Sequence, residues 1–373
     1  MKILVVSDNY PSHKYPSHGI FLYKLVQKFV GMGHEVTVVP PQKVWDRFSK
    51  GKSYGDENAR VIRPDVLSFS AKALPGCNTY RLTHLAKSIA VRRAVKKHNI
   101  EFDVVYGHFL RSIFITLDAL QACGKPFFVA VGENAGLDMT VAWIGKKRFQ
   151  NYLPKISGFI AVSEQIKEKL QKHGVAESKI KVEPNGVDLE VFKKMDKATC
   201  RKKYNIPPDL FVLVFTGNFI HSKGPDRVLR AIEGLENVGV MFIGGGPIKL
   251  SGNQILFNRR VPAAEVPELL NCADAFVLPT LHEGSNNSII EAMACGLPII
   301  SSAIPEVRSQ CDPSFSMLVD PMDIQAMHES VLRLRDDSVL CKRMSAHAIE
   351  WVKRFDLNER AERILTFIQN QQK

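Results

Sequence analysis

Short β-branched runs alternate with segments of helical apolar spacing, and the alternation begins twice in one chain. Residues 2–7 form an apolar run that turns polar at Ser7, residues 20–30 carry apolar side chains at helical intervals, and residues 34–39 return to a strand pattern. Further strands are expected at 102–106, 126–131 and 159–162, with a charged amphipathic helix over 164–173. Strands separated by helices pair in parallel through crossovers, so each sheet is covered on both faces. After the turn Pro184-Asn185-Gly186 the pattern restarts, with strands expected at 211–216, 240–243, 255–257, 275–278 and 298–301. Helical periodicity dominates from Asp323 and is interrupted by Arg354-Phe355-Asp356-Leu357-Asn358 before a last amphipathic helix over 359–369. The chain is therefore expected to hold two doubly wound α/β domains, the second beginning near residue 182. Ligands are expected in a cleft at the carboxyl ends of their strands.

At 373 residues the chain is long enough for two or three domains, and 45% hydrophobic against 24% charged residues excludes disorder. No apolar run reaches the roughly 18 residues of a membrane span, and the amino terminus turns polar too early for a signal peptide, so the protein is expected in the cytoplasm. Seven cysteines, scattered and without metal-ligand spacing, read as reduced thiols. The net charge of +12 is unevenly placed: residues 1–180 carry 27 Lys and Arg against 14 Asp and Glu, whereas residues 181–373 carry 23 against 24. An anionic surface or partner is the expected counterpart of the first half, with simple solubility as the plain alternative.

Residues 278–298 carry the most specific chemistry. A strand ends at Leu278, a polar loop follows, and Ser285-Asn286-Asn287-Ser288 can cap a helix running to about Cys295. Free amides and the positive helix end suit a phosphate, while Glu283 in the loop and Glu291 in the helix are acceptors for vicinal sugar hydroxyls. Together they describe a nucleotide sugar. From spacing alone, a charged loop and a surface glutamate in an ordinary βα unit fit equally well.

The string from Glu283 to Glu291, with its Glu-Ala-Met-Ala-Cys-Gly-Leu-Pro ending, resembles the signature of the family-4 retaining glycosyltransferases of the GT-B fold. The resemblance extends along nearly the whole chain. It implies two Rossmann-like parallel-sheet domains facing a cleft, the first over 1–181 plus 356–373 and the nucleotide-sugar-binding second over 182–355, with a C-terminal helix crossing back to the first. His18-Gly19-Ile20 is similar to the family's glycine loop, with His18 in place of its first glycine. Gly19 would admit the donor phosphate or the acceptor. Tyr106-Gly107-His108 resembles the element whose histidine meets the donor sugar near the reacting carbon. In Val131-Gly132-Glu133-Asn134, Glu133 departs from a usual histidine loop; Glu133 and Asn134 stand as sugar or acceptor candidates, or as a cap of the next turn.

Further along, Glu183-Pro184-Asn185-Gly186-Val187-Asp188 resembles a structural entry element. Thr216 to Gly224 resembles the phosphate clamp, with Lys223 retained and Asn218 where an arginine is usual. Gly284, Ser285, Asn286 and Asn287 complete the donor set with Glu291, while Phe257-Asn258-Arg259-Arg260-Val261-Pro262 resembles the strand that reads the nucleobase, through Arg259 and Val261. The triple glycine Gly244-Gly245-Gly246 is weak by itself. No Gly-x-Gly-x-x-Gly follows the first strand, which removes the main support for a nicotinamide site. Asp336-Asp337 sits in a helical charge pattern, and neither a metal nor a cofactor is expected.

The resemblance implies transfer of a sugar from a nucleotide diphosphate sugar, a UDP-sugar favoured, to a hydroxyl acceptor, with His108, Lys223 and Glu283 at the reacting centre. A lipid-linked saccharide in cell-surface polysaccharide synthesis is the expected acceptor, and no nucleic acid is expected as a partner. Two alternatives stay open: a nucleotide-sugar epimerase, and a non-catalytic nucleotide-sugar-binding regulator. Basic residues Arg81, Lys87, Arg92, Arg93, Lys96 and Lys97 alternate with Leu82, Leu85, Ile89 and Val95 in a helix-compatible pattern. Lys146-Lys147-Arg148 lie beside Trp143 and Ile144, and both clusters are expected to face an anionic membrane.

Overall fold

The computed structural model describes residues 1–16, 18–48, 58–68, 73–74, 77–132 and 134–372. The chain divides into two compact units, Met1–Pro184 with Ala361–Lys373, and Asn185–Arg360. The second division falls within the last helix, where the sequence pattern places it at the break before that helix.

The first unit is built on seven parallel strands, β1 (Lys2–Val6), β2 (Glu35–Val39), β3 (Arg60–Val61), β4 (Val104–His108), β5 (Phe127–Val131), β6 (Gly158–Ala161) and β7 (Ile180–Val182). Their order is β7-β6-β5-β4-β1-β2-β3, every pairing parallel. Every residue of β4, β5 and β6 is buried, as crossover helices on both faces require. Helix Ile20–Gly31 closes the first crossover by burying Leu22, Leu25, Val26 and Phe29, one helical stripe. The chain order reverses between β1 and β4, which brings Val6 beside Gly107 and sets the switch point of this sheet. Strands β3 and β7 are too short to leave a periodic signal. Helix Leu110–Leu120, buried on almost every side, is also absent from the expected elements.

The second unit repeats the plan with β8 (Phe211–Asn218), β9 (Val238–Gly245), β10 (Ile255–Arg259), β11 (Ala275–Leu278), β12 (Ile299–Ser302) and β13 (Ser316–Val319), in the order β10-β9-β8-β11-β12-β13, all parallel. Its switch point lies between β8 and β11. The triple glycine ends β9 where backbones nearly touch: a Cβ on Gly244 would lie 1.9 Å from the Gly217 carbonyl oxygen, and one on Gly246 2.4 Å from that of Phe219. Asp336 and Asp337 belong to helix ends, the first on Arg335 and the second accepting from the Leu340 N–H at 2.8 Å as an N-cap.

The last helix, Leu357–Asn370, starts on a rung of backbone bonds with the Asn185–Gly186 turn region: Val187 donates to the Phe355 carbonyl at 2.9 Å and Leu357 to that of Val187 at 3.0 Å. Beyond Ala361 it belongs to the first unit, with Ile364, Leu365 and Ile368 buried and the Phe367 ring edge-on to Phe128 at 6.2 Å. Arg363 donates Nε and Nη2 to the Glu183 carboxylate at 2.8–3.1 Å, and Glu183 is 3% exposed. Removing one member of such a pair leaves the other charge poorly compensated. Glu183→Ala is therefore expected to destabilise the chain by about 3 kcal/mol in denaturant titration, whereas an unchanged midpoint would show that the pair does not hold the helix.

Candidate functional site

Two loops meet at the β8/β11 switch point of the second unit. One leaves β8 and enters helix Pro225–Ile232; the other leaves β11 and enters helix Asn287–Ala294. The Leu281 N–H donates to the Ser222 carbonyl at 2.8 Å and joins them directly. Arg227 joins them again from beneath: fully buried, it gives Nη1 to the His221 carbonyl at 3.0 Å and Nη2 to that of Pro279 at 2.6 Å. Gly224 leaves room for this guanidinium, since a Cβ there would stand 2.3 Å from it.

Above this staple, Lys223 donates its Nζ to Glu283 Oε1. The same oxygen accepts from Asn286 Nδ2 at 2.6 Å, while Asn286 Oδ1 takes the Ile289 N–H at 2.9 Å and caps the helix. One buried amide thus couples the ion pair to the helix terminus. The first-turn amides of Asn287 and Ser288 precede the capped position and have no carbonyl in their own helix, so the positive end of the helix lies beside Lys223 and Glu283. Buried Asn287 Oδ1 and Thr216 Oγ1 have no hydrogen-bond partner among the described residues.

Two residues that sequence reasoning missed hold this loop. Gln310, buried, accepts the Asn286 N–H at 2.8 Å and donates to Ser285 Oγ at 3.1 Å. Asn185 donates its N–H to Ser285 Oγ and its Nδ2 to the Ser285 carbonyl, both at 3.0 Å. Asn185 lay in a motif read as structural, and Gln310 carries no local signal. Glu291 is half-buried on the same helix, Gly284 lies in the loop, Asn218 is the exposed last residue of β8, and Arg259 ends β10 with its guanidinium 5.0 Å from the Phe257 ring centre, two residues before Val261. Lys223, Glu283, Ser285 and Asn286 are thus brought into one bonded cluster.

In the first unit, Gly19 takes the left-handed conformation, φ +67°, at the start of helix Ile20–Gly31, and a Cβ there would fall 2.1 Å from the Asn9 carbonyl oxygen. The His18 ring stacks on Tyr15 at 4.7 Å and lines a cavity of about 310 Å³ together with Asp8, Tyr10, His13 and Lys87. His108 ends β4, buried against the rings of Phe21 at 4.9 Å and Phe109 at 4.6 Å. Glu133 lies outside the described residues; Asn134 opens helix Asn134–Ile144.

The expected basic faces separate into two cases. Helix Thr79–Lys97 contains no acid and turns Leu82, Leu85 and Ile89 outward, 44%, 56% and 39% exposed. Not all its cations follow: Lys87 pairs with Asp8, and Arg92 donates to the carbonyls of Asp118 and Ala119. Val95, expected on the same face, packs against the core instead. The second cluster is corrected: Ile144 is buried, Trp143 packs on the core under Arg111, and Arg148 pairs with Asp118, so this cluster presents no apolar anchors. No helix among the described residues is long and apolar enough to cross a membrane.

Comparison with known proteins gives concordant matches. The pattern of Glycosyltransferase Family 4 matches residues 18–191, and that of Glycosyl transferases group 1 matches residues 211–337. The chain is similar to TuaC of Bacillus subtilis, named as a teichuronic acid biosynthesis glycosyltransferase, at 26% identity over 97% of this chain and 96% of that protein. It is also similar to the D-inositol 3-phosphate glycosyltransferase of Mycobacterium tuberculosis, 24% identical over 69% of this chain and 60% of that one. Among solved structures, sucrose-phosphate synthase from Thermosynechococcus elongatus superimposes with a TM-score of 0.81 at 17% identity, covering 99% of this chain and 98% of that one. Anabaena HepE in complex with UDP-glucose gives 0.76 at 15% identity, covering 99% and 100%.

The cap at Asn286 can be tested apart from any reaction. Asn286→Ala should lower stability by about 1 kcal/mol in thermal unfolding, and full retention of stability would mean that the helix terminus does not rely on this side chain.

Proposed function

The chain belongs to the family-4 glycosyltransferases of the GT-B fold, and from that premise we propose that it moves a sugar from a nucleotide diphosphate sugar to a saccharide hydroxyl, with retention at the anomeric carbon. The observation that carries this reading is the Lys223–Glu283 pair beside the amino end of helix Asn287–Ala294. A diphosphate seated on the first-turn amides would have Lys223 at its flank. As the bond from the anomeric carbon to the phosphate oxygen breaks, negative charge grows on that oxygen, and a fixed cation with fixed dipoles stabilises it without reorganisation. Glu283 would accept from hydroxyls of the transferred sugar and Glu291 from those of the nucleotide sugar's rings. The acceptor oxygen forms the new bond on the face the diphosphate leaves, and its proton passes to the departing phosphate oxygen. No residue is assigned as a nucleophile on the opposite face. Positive charge at the phosphate comes from Lys223 and the helix end, so the reading includes no metal or cofactor.

UDP-sugars are the favoured donors, in keeping with the UDP and UDP-glucose complexes of the HepE neighbour. Similarity to TuaC over nearly the full length supports a role in polysaccharide biosynthesis. A lipid-linked saccharide acceptor accords with the exposed stripe of Leu82, Leu85 and Ile89 and with Arg93, Lys96 and Lys97 at the end of the same helix. Apolar anchors beside cations suit the anionic face of a bilayer, each cation adding on the order of 1 kcal/mol near such a surface.

Lys223→Ala is expected to reduce sugar transfer by about 10²-fold or more, with a melting curve recorded to separate this loss from unfolding. Glu283→Ala should likewise lower transfer, and Glu291→Gln should weaken donor affinity while leaving the fold intact. Wild-type turnover in the Lys223 and Glu283 variants would refute the site. For the membrane, sedimentation with anionic vesicles at low salt should carry the protein down, and high salt or neutral vesicles should release it. Leu85→Ser with Ile89→Ser should weaken this binding, and equal, negligible sedimentation with both lipids would reject it.

A further inference from the structure

Phe109 connects the end of β4 to helix Leu110–Leu120 with its backbone at φ +69°, ψ 146°. Glycine occupies that region freely; a residue with a Cβ does so at a cost, greatest for a bulky side chain. The other non-glycine residues with positive φ among the described residues are Asn99, Asn205 and Asn237, the residue type that best tolerates it. Phe109 is the exception. Its peptide is held at both ends, its N–H donating to the Ala130 carbonyl on β5 at 2.9 Å and its own carbonyl accepting from Ser112 at 3.1 Å. A glycine could make both bonds without strain, so what phenylalanine adds is the ring.

That ring stands at 87° to the His108 imidazole with centres 4.6 Å apart, and Phe21 lies 4.9 Å from the imidazole and 6.2 Å from Phe109. Gly132 borders the ring, and a Cβ there would stand in ordinary contact, 3.4 Å from Phe109 Cε1. The ring does not fill a closed core: Phe109 is half-buried and borders a cavity of about 70 Å³ with Arg111, Met139 and Trp143. We infer that Phe109 is a positioning residue, kept in a glycine-type conformation so that its ring, with that of Phe21, fixes the orientation of the His108 imidazole at the carboxyl end of β4. Its value for the reaction rests on the reading that His108 meets the donor sugar; the contact itself does not.

The test uses the full chain labelled with ¹⁵N-histidine, the His108 ring signals being assigned by their loss in His108→Asn. Phe109→Gly removes the ring and relieves the backbone, whereas Phe109→Ala removes the ring and keeps the strain. Phe109→Gly is expected to melt at a higher temperature than Phe109→Ala, with its His108 signals shifted and broadened relative to wild type. UDP-glucose turnover in that variant should fall about tenfold or more, the scale of a misplaced reacting group. Should Phe109→Gly fail to fold, Phe109→Leu, which keeps most of the apolar volume without an aromatic edge, gives the same spectroscopic reading. Loss of the ring current shifts these signals by itself, so it is their width that decides: His108 signals no broader than wild type in the folded variant overturn the proposal whatever the turnover. Undiminished UDP-glucose turnover in His108→Asn, with the signals broadened in Phe109→Gly, would instead sink the role of His108 and leave the positioning contact standing.

Discussion

The nearly buried carboxylate of Glu283 is the constraint around which the second unit is arranged. An ionised carboxylate out of water is tolerated only with a counter-charge and hydrogen bonds, and here Lys223 supplies the first and Asn286 the second. Each partner comes from a different crossover of the sheet, so the pair can form only if β8 and β11 are neighbours. The doubly wound order makes them so. Arg227 ties the two loops together, and Gln310 and Asn185 hold the second at Ser285 and Asn286.

The same logic appears in the backbone. At the carboxyl ends of the strands the chain must turn sharply, and several unusual conformations lie there. Gly19 takes a left-handed conformation against Asn9, Gly244 passes close to Gly217, and Phe109 accepts a strained one beside His108. Gly19 and Gly244 are explained by close approach alone. Phe109 is not, because glycine would serve its backbone better, and its ring rather than its main chain accounts for it.

Much of this was legible in the sequence, and the parts that were share a physical origin. Parallel strands buried on both faces must be apolar runs, and crossover helices must carry a stripe, so β1, β2, β4, β5 and most strands of the second sheet could be read from periodicity. The loop from Glu283 to Asn287 could be read because a helix cap, a preceding carboxylate and a following acid lie within one short segment. Where the signal failed among the strands, the pattern was short or half-exposed. Strands β3 and β7 are two and three residues long, and β13 is a half-exposed edge strand that opens on a serine.

Sequence alone determined the fold class, the two αβ repeats, the family resemblance and the set of candidate residues, because these depend on local composition and spacing. Tertiary structure decided which of those residues touch. Lys223 and Glu283, 60 positions apart, were read as two ligand contacts and are one ion pair. Trp143 and Ile144 were read as membrane anchors, yet Ile144 is core and Trp143 packs against it, while Leu82, Leu85 and Ile89 on helix Thr79–Lys97 face outward. Helical spacing tells which side chains share a face; only the packing of that helix against the rest of its unit tells which face meets water.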